Sequence, residues 1–239
     1  MRYLQADFHC HVKIFSSIPL KPGQLSKKLN WAMRLGLDIL AVTEHIEDKD
    51  FWTITDGLEH ICTGKEGVYH RPGLTVLTGA EVTIREGGHI LLIGCLNALK
   101  ELENRLGRLD GNNTPCFKDL MDAGDDLGFL RIGAHPCRRS QELWPLGLPI
   151  KRLDALEING RNLPAATTVA RQAGLLQMPV VAGSDAHHWL QMGRVYNHLP
   201  VNGALSIAAI KEAVAARKIR WHDQGTLSWY KKILQGVRK

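Results

Sequence analysis

Near the start of the chain, Asp7-Phe8-His9-Cys10-His11 sets two imidazoles two residues apart behind an acid. Successive side chains on a β-strand point to opposite faces. Asp7, His9 and His11 are therefore expected on one face, with Phe8 and Cys10 on the other. Two imidazoles on one face can converge on a single cation, and the acid can hold a ligand's free ring N–H or bind the ion itself. An isolated H-x-H pair is as often an accident, so its meaning depends on what it recruits downstream. His45, Glu81, His89, His135, Glu157, Asp185 and His187 are the candidates.

The elements that would hold these residues can be read from the pattern of the chain. Short apolar runs alternate with amphipathic stretches, as in β/α units. Strands are predicted at Tyr3 to His11, Asp38 to Thr43, Leu74 to Thr78 and on to Glu81, Gly88 to Leu96, Phe129 to Ala134, Leu153 to Ile158, and Pro179 to Gly183. Helices are predicted near Leu25 to Leu35, Phe117 to Leu127, Ala165 to Gly174, Leu205 to Arg217 and Thr226 to Leu234. Segments 46–72 and 97–114 lack clear periodicity and are expected to be loops or excursions from the barrel. With no internal repeat or linker, one domain over 1–239 is the economical reading.

The polar residues fall on this framework in a regular way. His11, His45, His135 and the Asp185/His187 pair each lie at the C-terminal end of a predicted strand. Glu81 lies just past another strand, and Glu157 near the end of its own. In parallel α/β barrels catalytic residues gather at that face, because the strand ends converge there. Imidazole and carboxylate together suit Zn, Mn or Fe, whereas Mg or Ca would favour oxygen ligands. One catalytic zinc takes about three protein ligands. His9, His11, His45, Glu81, His89, His135, Asp185 and His187 therefore imply two or three divalent ions, with Glu81 the natural bridge. Two cations roughly 3.5–4 Å apart can clamp a phosphoryl oxygen and generate hydroxide near neutral pH.

The ordered motifs are Asp7-x-His9-x-His11, Thr43-Glu44-His45, Gly79-Ala80-Glu81, Gly88-His89-Ile90, Ala134-His135-Pro136, Glu157-Ile158-Asn159-Gly160-Arg161 and Gly183-Ser184-Asp185-Ala186-His187. Together they resemble the pattern of the polymerase-and-histidinol-phosphatase (PHP) family. The resemblance implies an α/β fold, a distorted, TIM-like (β/α)7 barrel with a metal site at the C-terminal ends of its strands. It implies one ion held by His9, His11 and Asp185, with Glu81 bridging to a second. His89, His135 and His187 would complete the second, although His187 could serve the first, and His45 would serve a third. The family usually carries an Asp or His several residues after the H-x-H pair as a further ligand of that third ion. Here Val12 to Pro19 contains neither. The third site would then be empty, weak, or completed by Glu44, solvent or substrate, with His45 free to meet substrate or the bound water.

Arg138, Arg139, Arg161 and Arg194 are the best anion-binding candidates, because a guanidinium forks onto phosphate with two charge-assisted bonds. The alternative is that they pair with nearby acids. The expected function is hydrolysis of a small phosphate monoester, with metal-activated hydroxide attacking phosphorus and arginine steadying the equatorial oxygens. His45 would protonate the leaving oxygen. Phosphodiesterase or nuclease activity is the second reading, and a non-enzymatic, metal-stabilised binding domain the third. An amidohydrolase is disfavoured, since no Lys stands at a mid-barrel strand end.

The formal charge of +6, concentrated near the C-terminus, suggests anionic partners. A small phosphorylated substrate is favoured over nucleic acid. No apolar run reaches the roughly 18 residues of a membrane span, and no secretory signal opens the chain. Five scattered cysteines without C-x-x-C spacing fit free thiols in the cytoplasm. Substrate choice is expected to lie in segments 12–24, 46–72 and 137–150, and the oligomeric state is not legible.

Overall fold

The computed structural model describes residues 2–237. In chain order the strands are β1 (Arg2–Cys10), β2 (Ile39–Val42), β3 (Thr63–Lys65), β4 (Val68–Arg71), β5 (Leu74–Thr83), β6 (His89–Ile93), β7 (Leu130–Ala134), β8 (Ala155–Asn159), β9 (Val180–Gly183), β10 (Val195–Val201) and β11 (Arg220–Asp223). The helices are α1 (Gln24–Arg34), α2 (Phe51–Ile61), α3 (Leu96–Leu106), α4 (Phe117–Gly124), α5 (Ala166–Leu176), α6 (Ile207–Ala215) and α7 (Thr226–Val237).

Seven strands in the order β1-β2-β5-β6-β7-β8-β9 curl into a nearly closed barrel. Its seam lies between β9 and β1, where ladder pairing gives way to a few specific bonds. A parallel bridge joins Cys10 to Ala186. The Asn197 side chain on β10 donates to Ala6 O and Ala182 O and accepts from Ala182 N. One buried amide thus satisfies backbone groups on both sides of the gap. The interior holds apolar side chains from all seven strands, including Phe8, Ala41, Leu77, Leu91, Ile132, Ala155 and Val181, with Ile210 and Val214 of α6 packed on them. Separate apolar layers lie under α1 and α2 and under α3, α4 and α5.

Three features depart from the sequence expectations. First, β6 runs antiparallel to both β5 and β7, so the barrel is not all parallel. Because β6 is reversed, its first residue, His89, lies at the same rim as the ends of the parallel strands. Second, segments 46–72 and 97–114 contain α2, the β3–β4 hairpin and most of α3. Their apolar positions are irregular, and packing against the barrel organises them. The antiparallel strands β10 and β11 were likewise unannounced.

Third, β1 is not evenly alternating. Ala6 pairs with Ile39 and Cys10 with Val42, so β1 holds one residue more than β2 across this stretch. That β-bulge puts Phe8 in the barrel interior while Cys10 packs in the layer under α1. The expectation that Phe8 and Cys10 share a face is therefore wrong, and the extra residue is the reason.

Candidate metal centre

The barrel mouth gathers a cluster of buried imidazoles and carboxylates around Glu81, which is 1% exposed on β5. Glu81 Oε2 lies 3.1 Å from His11 Nε2, 3.3 Å from His9 Nε2 and 3.4 Å from His45 Nε2. Its other oxygen, Oε1, lies 2.8 Å from His89 Nδ1 and 3.0 Å from His135 Nε2. One carboxylate thus faces two sets of nitrogen donors, the geometry of a bridging ligand.

His9 and His11 converge until their Nε2 atoms are 3.1 Å apart. Each ring is fixed from behind. His9 Nδ1 donates to Glu157 Oε1 at 2.8 Å, and His11 Nδ1 to Glu44 Oε1 at 2.9 Å. Asp185 Oδ1 lies 3.5 Å from His11 Nε2 and 3.8 Å from His9 Nε2. A carboxylate behind each ring selects the tautomer whose Nε2 lone pair faces the shared point, as metal-binding histidines require.

Electrostatics agree with this fit. Burial works against charge on His9, yet Glu157, Glu81 and Asp185 outweigh it and push the ring up to about 10. Burial also opposes charge on His11, which is nonetheless raised well above the ordinary histidine value by Glu44 and Asp185. The carboxyls of Glu81 and Asp185 overcome burial and sit well below their usual range beside these rings. The buried carboxylates need positive charge, and without a cation protons on the histidines supply it. A divalent ion would displace those protons.

Three sets of donor atoms lie within 4.8 Å of one another: His9, His11 and Asp185; His45, Glu81 and His89; and His11, His45 and His187. The first set is the one expected. His187 is placed differently: its ring stacks on His11 with centroids 4.0 Å apart, and it groups with His11 and His45 instead of with His89 and His135. Glu44 does not stand ready for a third ion, because it accepts from His11 and from the amides of Val12 and Lys13. Burial pushes His45 down to about 4, so at neutral pH it holds no extra proton to give a leaving group. That argues for a metal-facing lone pair over the proton donor expected from sequence.

Backbone strain helps aim two of these groups. Ala134 points into the barrel, so regular alternation would turn His135 outward. His135 instead has φ of 32° immediately before Pro136, a conformation normally avoided. Asp185 has φ of 53°, and its amide donates to His9 O. Gly183 allows this close approach: a Cβ there would stand 2.2 Å from Glu157 Oε1 and 2.4 Å from His9 Cβ.

Asp7, expected to orient a ligand, accepts from Ser184 N and His9 N and so braces backbone instead of a ring. Burial raises its carboxyl to about 6. Arg138 pairs closely with Asp185 Oδ2 and donates to Asn159 Oδ1, while Arg161 lies 3.5 Å from Asp185 Oδ1. Both guanidiniums are therefore at the mouth. Arg139 is exposed. Arg194 is committed elsewhere, donating to Asp223 and Thr226 and lying over Trp229.

Lys13 was missed from sequence. Its buried ammonium donates to Asp48, Asp50 and Ser16 O, tying the loop after His11 to the segment before α2. Only Asp48-x-Asp50 hinted at it, and a lysine beside two distant acids reads as ordinary surface.

No curated protein matches the sequence. Among solved structures, PsfC from Pseudomonas syringae PB-5123 is similar over 100% of this chain and 98% of its own, with a TM-score of 0.77 and 20% identity. The lesion-specific endonuclease PfuEndoQ from Pyrococcus furiosus matches 90% of this chain with a TM-score of 0.68 and 17% identity. The match spans only 56% of that endonuclease. A two-domain protein from Bacteroides vulgatus ATCC 8482 containing a predicted PHP-like metal-dependent phosphoesterase matches 98% of this chain and 70% of its own, with a TM-score of 0.62 and 19% identity. At these identities the likeness is one of fold. The PHP-associated family model matches residues 165–219, the segment that carries Asp185 and His187. That match and the shared barrel make the chain similar to PHP-like proteins in fold and in this segment.

Proposed function

We propose that this protein is a metal-dependent phosphoesterase that hydrolyses a small phosphate monoester. The observation that carries the reading is the braced pair at the mouth. His9 and His11 present Nε2 atoms 3.1 Å apart, each backed by a carboxylate, with Glu81 between them and His89. His9, His11 and Asp185 would hold one ion; Glu81 would bridge; His89 and His135 would hold a second, with His45 and His187 beside them. Bound divalent ions would acidify water and neutralise phosphoryl oxygens.

The chain's own groups account for the rest. Arg138 and Arg161, held at the mouth against Asp185, would fork onto the non-bridging oxygens. The new bond forms between water oxygen and phosphorus as the ester P–O bond breaks. The proton of the attacking water passes to solvent, and the departing alcohol receives one from solvent. Protein purified free of metal should hydrolyse p-nitrophenyl phosphate only after Mn or Zn is returned. Equal rates before and after stripping would refute the proposal.

A diesterase reading has support from the basic C-terminal segment and from a structural relative, Endonuclease Q, which was captured on a duplex with an abasic lesion at its active site. Faster turnover of bis-p-nitrophenyl phosphate than of the monoester would favour it. No described helix is long and apolar enough to cross a membrane.

A further inference from the structure

A groove of about 590 Å³ opens beside His187 and the loop after His11 and continues along α1. Phe15, Trp31 and Trp189 contribute rings to an otherwise aliphatic and basic wall. Trp31 of α1 meets Trp189 edge-on with ring centroids 4.5 Å apart, and Phe15 is 60% exposed on the loop. Lys27, Trp31 and Arg34 are four and three residues apart, so they share one face of α1. The two cations flank the indole and lie about 10 Å apart along the helix axis.

The charge along this groove is one-sided. No carboxylate lines it, and Lys27 and Arg34 form no ion pair among the described residues. Its size suits a small organic ligand, and it adjoins the metal centre at His187, which lines the groove and belongs to the donor set of His11 and His45.

We propose that this groove seats the organic half of the substrate: a flat, apolar aromatic group that carries a second anionic group to Lys27 or Arg34. Rings on the wall favour offset or edge contact with another ring. The separated cations favour a fixed second charge, which a simple alkyl chain lacks. Phe15 and Trp189 lie outside the ordered motifs of the family, so this preference belongs to this chain's own loop and helix.

The inference rests on the phosphoesterase reading, and its test separates the two. Steady-state kinetics of the metal-loaded protein would be compared on glycerol 3-phosphate, 2-naphthyl phosphate and 2-naphthyl phosphate bearing a 6-sulfonate. The expected order of kcat/KM rises through that series. Phe15→Ala should raise KM for both aryl esters about fivefold, the scale of one lost ring contact. Replacing both cations together (Lys27→Glu with Arg34→Glu) should raise KM about tenfold for the sulfonated ester alone, the scale of a charge-assisted bond. Neither variant should alter glycerol 3-phosphate turnover. Equal preference for all three esters, or variants that leave the preference intact, would overturn the groove assignment while the phosphoesterase reading stands. If no ester is turned over, that reading falls, and calorimetric binding of 2-naphthol-6-sulfonate decides the groove. Affinity weakened in both variants would support it; equal affinity in all three proteins would overturn it.

Discussion

The two sides of the barrel mouth are built differently. On the β1–β9 side, His9 and His11 each have a carboxylate behind the ring, and Asp185 is held by Arg138 and Arg161. Around the rest of the mouth, from the loop after β2 to the end of β7, His45 Nδ1 and His135 Nδ1 are buried without a hydrogen-bond partner in the described structure. His89 meets Glu81 through Nδ1 and only Gln141 through its other nitrogen. One side is locked in tautomer and direction, and the other is aimed mainly by packing and by Glu81. A locked ring loses little freedom when an ion arrives, so the first side should bind more tightly and the second should exchange.

The largest expected effect tests the locked side. His9→Ala should abolish ion binding there and lower kcat at least about a thousandfold, whereas His89→Ala should cost nearer tenfold. Metal content by elemental analysis, read beside kcat, would show which ion is lost. Equal losses in the two variants would erase the distinction between the sides. Next comes the brace itself. Glu157→Gln and Glu44→Gln leave every proposed ligand in place yet should weaken the tighter ion by about 10–100-fold. Unchanged affinity in a competition titration would show that the braces do not matter.

Metal-free protein offers a third test through pH. His9 has its folded value raised to about 10, above the unfolded 6.5. Its contribution to stability is therefore full below 6.5 and lost as pH rises through about 10. The melting temperature of stripped protein should fall across that window, while metal-loaded protein, already deprotonated at His9, should vary less. A loaded protein that fell as steeply would contradict the exchange of protons for metal. At a thousandfold excess of free ion over Kd, loading should add about 4 kcal/mol to stability. The smallest contrast is between arginines. Arg138→Ala should raise KM for a phosphoester about tenfold, and Arg194→Ala should leave KM unchanged, because its guanidinium is occupied by Asp223.

Much of this centre was legible from residue types at strand ends. His9, His11 and Asp185 lie together, a grouping that only the family resemblance implied, and Glu81 stands between donor sets. His89 was harder to place, because an antiparallel strand brings its first residue to the rim and no local pattern announces direction. The roles of Glu44 and Glu157 behind the rings, and of Lys13 between Asp48 and Asp50, depend on residues more than thirty positions apart. Segment 46–72 was misread for the same reason, since α2 owes its order to the barrel beneath it.

The sequence by itself determined the donors and the succession of strands that carries them, because ligand chemistry and alternating apolar runs are local properties. The tertiary structure decided which donors meet. The β1 bulge puts Phe8 and Cys10 in different layers, the left-handed backbone at His135 and Asp185 aims both groups, and reversed β6 delivers His89. Each of these is fixed only when distant strands are paired, since strain and register are set by the neighbours that hold them.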